Sequence, residues 1–82
     1  MEKIILDDKE FEVVLENKII DKLEKINKTK KQLIDILNSN KQELEDVDEN
    51  EDFMLEGDFV VAGYKMDSKI FIIAVIKKEN IY

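Results

Sequence analysis

The stretch 59-FVVAGYKMDSKIFIIAVIK-77 decides the fold. Two runs rich in Val, Ile and Phe flank the polar turn Met66-Asp67-Ser68-Lys69, the signature of a β-hairpin. The second run, Ile70 to Ile76, is apolar at seven consecutive positions. A strand with one wet face alternates polar and apolar residues, so this one calls for cover on both faces. Strict alternation puts Ile70, Ile72, Ala74 and Ile76 on one face and Phe71, Ile73 and Val75 on the other. The rest of the chain offers helix for one face only. The Phe71, Ile73 and Val75 face is therefore expected to meet the remaining loops, a second subunit or a partner protein, with a homodimer through the sheet or an edge strand as the leading reading.

Upstream, Lys3 to Leu15 reads as two short strands around Asp7-Asp8-Lys9-Glu10, giving a hairpin over 1–16. The rival reading extends the next helix back to Asp8, because Phe11, Leu15 and Ile19 are spaced by four. Asn17 suits an N-cap for a helix over 17–40. Ile19, Leu23, Ile26, Leu33 and Leu37 form its apolar row, widened by Ile20, Ile34 and Ile36, as fits a helix lying on a sheet. Thr29 and Gln32 have capping-box spacing, so the helix could break near 27–29 and restart there. Such a break invites comparison with a helix-turn-helix DNA reader, but the chain turns acidic where a recognition helix needs bases. Residues 43–58 form an acidic connector in which Phe53, Met54 and Leu55 tuck onto the core and could add a short strand. The tail after Lys77 is expected to fray, with Ile81 and Tyr82 able to pack.

The architecture expected is a single α+β domain, ββαββ, with a four-stranded antiparallel or mixed sheet and a helical layer on one face. The second and third strands could be parallel through a right-handed crossover.

Eighty-two residues suffice for one modest core. The chain has no Cys, His, Trp or Pro, and all 13 basic residues are Lys. Thiol nucleophiles, thiolate metal sites and the commonest general base are thereby excluded. The lack of Arg argues against bidentate phosphate or guanine recognition. Residue usage leans towards Lys, Asn, Ile and Glu, as in an AT-rich genome such as that of a low-GC bacterium or its phage. No apolar run approaches the roughly 20 residues of a membrane span. The start MEKIILDDKE has no signal-peptide core, so a cytoplasmic setting is expected.

Net charge is −7 and unevenly spread: residues 17–42 carry seven Lys against three acids, whereas 43–58 carry nine acids and no base. Lys18, Lys22, Lys25 and Lys28 recur along one helix side, but without Arg or a stacking aromatic they read as a solvated face rather than a nucleic-acid site. Asp46, Asp48, Asn50 and Asp52 alternate like the start of an EF-hand loop. Counting from Asp46, Glu51 stands where Gly is needed and Gly57 where a bidentate Glu is needed, so no metal site is expected. Ser68 lies between Lys65 and Lys69, yet a solvated turn does not make Lys a base. No catalytic residue and no cofactor is expected.

What remains is binding. Nine acids in 16 residues give about one charge per 6 Å if extended and about one per 2.7 Å if helical. Only the compact form matches a phosphate track, at about one charge per 3.4 Å. The function expected is a small acidic, non-enzymatic inhibitor that docks Glu43, Glu45, Asp46, Asp48, Glu49, Glu51 and Asp52 on a basic partner such as a nuclease, a nucleic-acid-binding protein or a toxin. Phage-type anti-defence inhibitors (anti-CRISPR-like nucleic-acid mimics among them) and immunity or antitoxin proteins are its class analogues. Asp7, Asp8, Glu10 and Glu12 could extend the surface. The alternative is a homo-oligomeric structural or regulatory protein that uses its apolar sheet and keeps its acids for solubility.

Overall fold

The structure, a computed structural model, describes residues 2–78. Its elements in chain order are β1 (Glu2–Leu6), β2 (Lys9–Leu15), α1 (Asn17–Lys25), α2 (Lys30–Ser39), α3 (Lys41–Asp46), β3 (Asp52–Glu56), β4 (Phe59–Met66) and β5 (Lys69–Lys77). The expectation for Ile81 and Tyr82 lies outside the described residues.

The domain is α+β, but its sheet has five strands, not four, in the order β1-β2-β5-β4-β3, and its helical layer has three helices. The extra strand is the Phe53-Met54-Leu55 segment: Phe53 and Leu55 are buried while Asp52, Met54 and Glu56 face water, the period-2 pattern of an edge strand. The parallel pair is β2 with β5, the last strand, rather than with the strand that follows the helices. That long-range pairing places β5, the most apolar segment, at the centre of the sheet with a neighbour on each side.

The helical layer is divided by two local devices. Asn27 takes φ 58° and ends the first helical run. Thr29 Oγ1 then accepts the N–H of Gln32 at 3.2 Å, while Gln32 Oε1 accepts the N–H of Thr29 at 2.8 Å, a complete capping box that starts α2. At the far end Asn40 donates through Nδ2 to the carbonyl of Ile36 at 2.8 Å, and α3 follows directly. Breaking the layer lets its parts reach different strands: α1 packs on β5, α2 on β1 and β3, and α3 on β1. Ile19, Leu23, Leu33, Leu37 and Leu44 are buried in one cluster with Leu6, Leu55, Phe59, Val61 and Ile70.

A β-bulge corrects the two-face reading of β5. Gly63 pairs with Ile72 and Ala62 with Ala74, so Ile73 is an inserted residue and the alternation inverts beyond it. The three residues assigned to one open face are therefore separated. Phe71 is on that face, between Val14 and Tyr64. Val75 is 2% exposed in the core beneath the helices. Ile73 is half exposed beside α1, and Ile76, assigned to the covered face, is in the open opposite Val60.

Candidate functional site

The acidic connector is anchored to the tips of both hairpins. Each hairpin closes with a two-residue loop whose central residues have positive φ: Asp7 (50°) and Asp8 (63°) between β1 and β2, and Asp67 (53°) and Ser68 (60°) between β4 and β5. Two positive φ values describe a type I′ turn, whose twist suits a hairpin. Because β2 and β5 are parallel, both loops lie at the same end of the sheet. Glu45, in α3, accepts the N–H of Asp7 at 3.1 Å, and Glu49, just past α3, accepts the N–H of Asp67 at 2.7 Å. Glu51 accepts the N–H of Asp48 at 3.0 Å and closes the intervening loop.

Backbone bonds complete the attachment. Asn50 N–H donates to the Lys65 carbonyl at 2.7 Å, which feeds the chain into β3. Lys65 donates through Nζ to the carbonyl of Leu44 at 2.8 Å, near the C-terminal end of α3, and lies 5.3 Å from the centre of the Phe11 ring. A cation at a helix C-terminus answers its partial negative charge. Lys65, the lysine closest in sequence before Ser68, is thus committed to the scaffold.

The seven acids expected to act together fall into two groups. Glu45, Asp48 and Glu49 face the hairpin tips, beside Asp7, Asp8 and Asp67. Glu43, Asp46 and Glu51 line a shallow depression floored by Val47, Phe53 and Leu55, with Met54 at its rim. Asp52, exposed, opens β3 next to that depression. Glu10 and Glu12 do not join them. Glu10 binds Lys3 Nζ at 2.8 Å, and Glu12 pairs across strands with Lys3 and Lys69. The hydrogen bond and then the charge of Glu10 raise the Lys3 pKa above its ordinary value. Asp67 joins the acids at the hairpin tips through the Glu49 bond, and its only sign in the sequence is a hairpin loop that lacks Gly. Among the described residues no three carboxylates gather as a cation cage.

The other surface of note is the sheet face away from the helices. Tyr64 and Phe71 stack on it, with ring centres 5.0 Å apart and planes at 16°. Met54 (64% exposed) and Ile76 (49%) extend the apolar area across β3 to β5, with Val60 and Ala62 between them.

Comparisons with family models, with curated protein sequences and with solved structures find no match. Among the described residues no helix is long and apolar enough to cross a membrane.

Proposed function

We propose that the protein is a non-enzymatic binding protein whose acidic end docks on a basic surface of a partner, occupying the surface that a nuclease, a nucleic-acid-binding protein or a toxin needs for its own work. One observation carries this reading: Glu45, Glu49 and Glu51 are each bonded to a backbone N–H, so the connector is held in one shape. A segment ordered in advance loses less entropy on docking, and its fixed charges steer encounter. Glu43, Asp46, Asp48 and Asp52 then supply the charge that meets the partner. The helical spacing from Glu43 to Asp46 is compatible with imitation of a phosphate track.

The test uses the full chain as bait in a lysate of its source cell, alongside a variant carrying Glu43→Gln, Asp46→Asn, Asp48→Asn and Asp52→Asn. These changes leave the three scaffold carboxylates in place. A basic protein held by the native chain, lost by the variant, and associating more slowly as salt rises supports the reading. Retention of the same partner by the variant, or an association rate indifferent to salt, overturns it.

A second reading, a homodimer through the open sheet face, is favoured by the Tyr64–Phe71 stack and the exposed Met54 and Ile76. Sedimentation equilibrium of the native chain and of a Met54→Lys/Ile76→Lys variant separates the two. A dimer abolished by the variant and unaffected by salt supports self-association, and a monomer at all concentrations removes it.

A further inference from the structure

We propose that the outer edge of β5 from Ile73 to Lys77 receives an extended, acidic segment of a partner protein as an added strand. The central strand is laddered on one side from Lys69 opposite Met66 to Lys77 opposite Phe59, with one break at the inserted Ile73. On its other side the ladder to β2 stops at Leu15 opposite Ile72, where the chain leaves the sheet for α1. Five residues of β5 continue past that point, a length of about 16 Å. Among the described residues they make no backbone hydrogen bond outside the β4 ladder. The row that β2 vacates is thus a template for one short strand.

The chemistry of this row selects its occupant. Ile73, Ala74 and Val75 meet Lys18, Ile19 and Lys22 of α1 in a groove of about 310 Å³. Lys18 and Lys22 are one helical turn apart, both exposed, and neither makes an ion pair among the described residues. Lys77 adds positive charge at the end of the strand, whereas Lys78 is paired with Glu56 at 3.7 Å. A second copy pairing edge to edge would bring two such lysine sets together and is disfavoured by like charge. A segment alternating acidic and apolar residues gains main-chain bonds, an apolar contact at Ile73 and two countercharges. This surface is distinct from the acidic end and would engage a partner of opposite character.

The test titrates a fluorescein-labelled hexapeptide of alternating Glu and Val into the full chain, read by anisotropy and by amide hydrogen exchange. Two control peptides replace Glu by Lys or methylate alternate backbone nitrogens. The Lys18→Glu/Lys22→Glu variant keeps the fold, since both side chains are exposed: Lys18 lies in the first turn of α1, where an acid is favourable, and Lys22 in the last turn, where losing a cation is a small cost. The expected result is saturable binding that slows exchange within 73–77 and weakens roughly tenfold or more with the variant or either control. No saturation at millimolar peptide, equal binding of the Lys peptide, or protection at the β1 or β3 edge instead would overturn the proposal.

Discussion

Glu49 accepts the backbone N–H of Asp67 at 2.7 Å across a separation of 18 residues, so an acid of the connector is a structural part of the β4–β5 turn. A charged acceptor on an N–H at positive φ holds the loop in its turn geometry. Glu49→Ala is expected to cost about 1 kcal/mol, below the range for buried charge-assisted bonds because the site is exposed. Glu49→Gln, which keeps an acceptor oxygen, should cost less. Glu43→Ala, which touches no backbone donor, should stay within about 0.5 kcal/mol. Urea midpoints at unchanged slope give the comparison. Equal losses for Glu49→Ala and Glu43→Ala would show that the bond contributes nothing.

The same turn contains a residue that Gly would serve better. Ser68 sits at φ 60°, where a side chain crowds the backbone. A two-residue I′ loop favours Gly at its second central position. Ser68→Gly should stabilise the fold by about 0.5 kcal/mol, after the extra freedom of Gly in the unfolded chain is offset. In a domain of this size that raises the melting temperature by roughly 2–4 °C. A lower melting temperature would mean that the hydroxyl has a role the turn geometry does not reveal.

The bulge in β5 makes opposite claims about two residues that strict alternation places together. Val75 is 2% exposed and Ile73 is 48% exposed. Val75→Ala removes buried methyl groups and should cost about 2 kcal/mol. Ile73→Ala, although it deletes a larger side chain, should cost under about 1 kcal/mol because much of that side chain is already in water. Chemical unfolding of the two variants decides it, and a reversed order would contradict the register.

The contrast between these residues shows where local pattern ends. The hairpin at 59–77, the core row of the helices and the Thr29–Gln32 box depend on neighbours in sequence, and each is legible there. The β3 strand is half visible, because Phe53-Met54-Leu55 is an apolar run among acids, but it is short and Met54 hides the alternation that burial shows over five positions. Period-2 reasoning has no place for an inserted residue, so it puts Val75 on the wrong face. The pairing of β2 with β5 depends on the packing of the whole layer and has no local sign. The acidic connector was legible as charge. The use of Glu45 and Glu49 as turn anchors was not, because each bond joins segments 38 and 18 residues apart.

Gly63 is the one residue whose identity hinted at the bulge, since an isolated Gly within a strand often marks a close backbone approach. A Cβ at this position would lie 2.1 Å from the carbonyl oxygen of Phe71 and 3.0 Å from Cζ of Phe53. The first contact is with backbone in the central strand, which cannot yield without disturbing the ladder on both sides. Gly63→Ala is therefore expected to destabilise by about 2–3 kcal/mol despite the better strand-forming tendency of a residue with a side chain. Gly57→Ala is the control. Its Cβ would meet Cγ1 of Ile36 at 2.6 Å, a stiff side chain rather than laddered backbone, so a loss is expected here too, but a smaller one. If Gly63→Ala unfolds no earlier than Gly57→Ala in urea, β5 does not hold Phe71 against β4 in this register, and the separation of Phe71, Ile73 and Val75 onto three surfaces loses its cause.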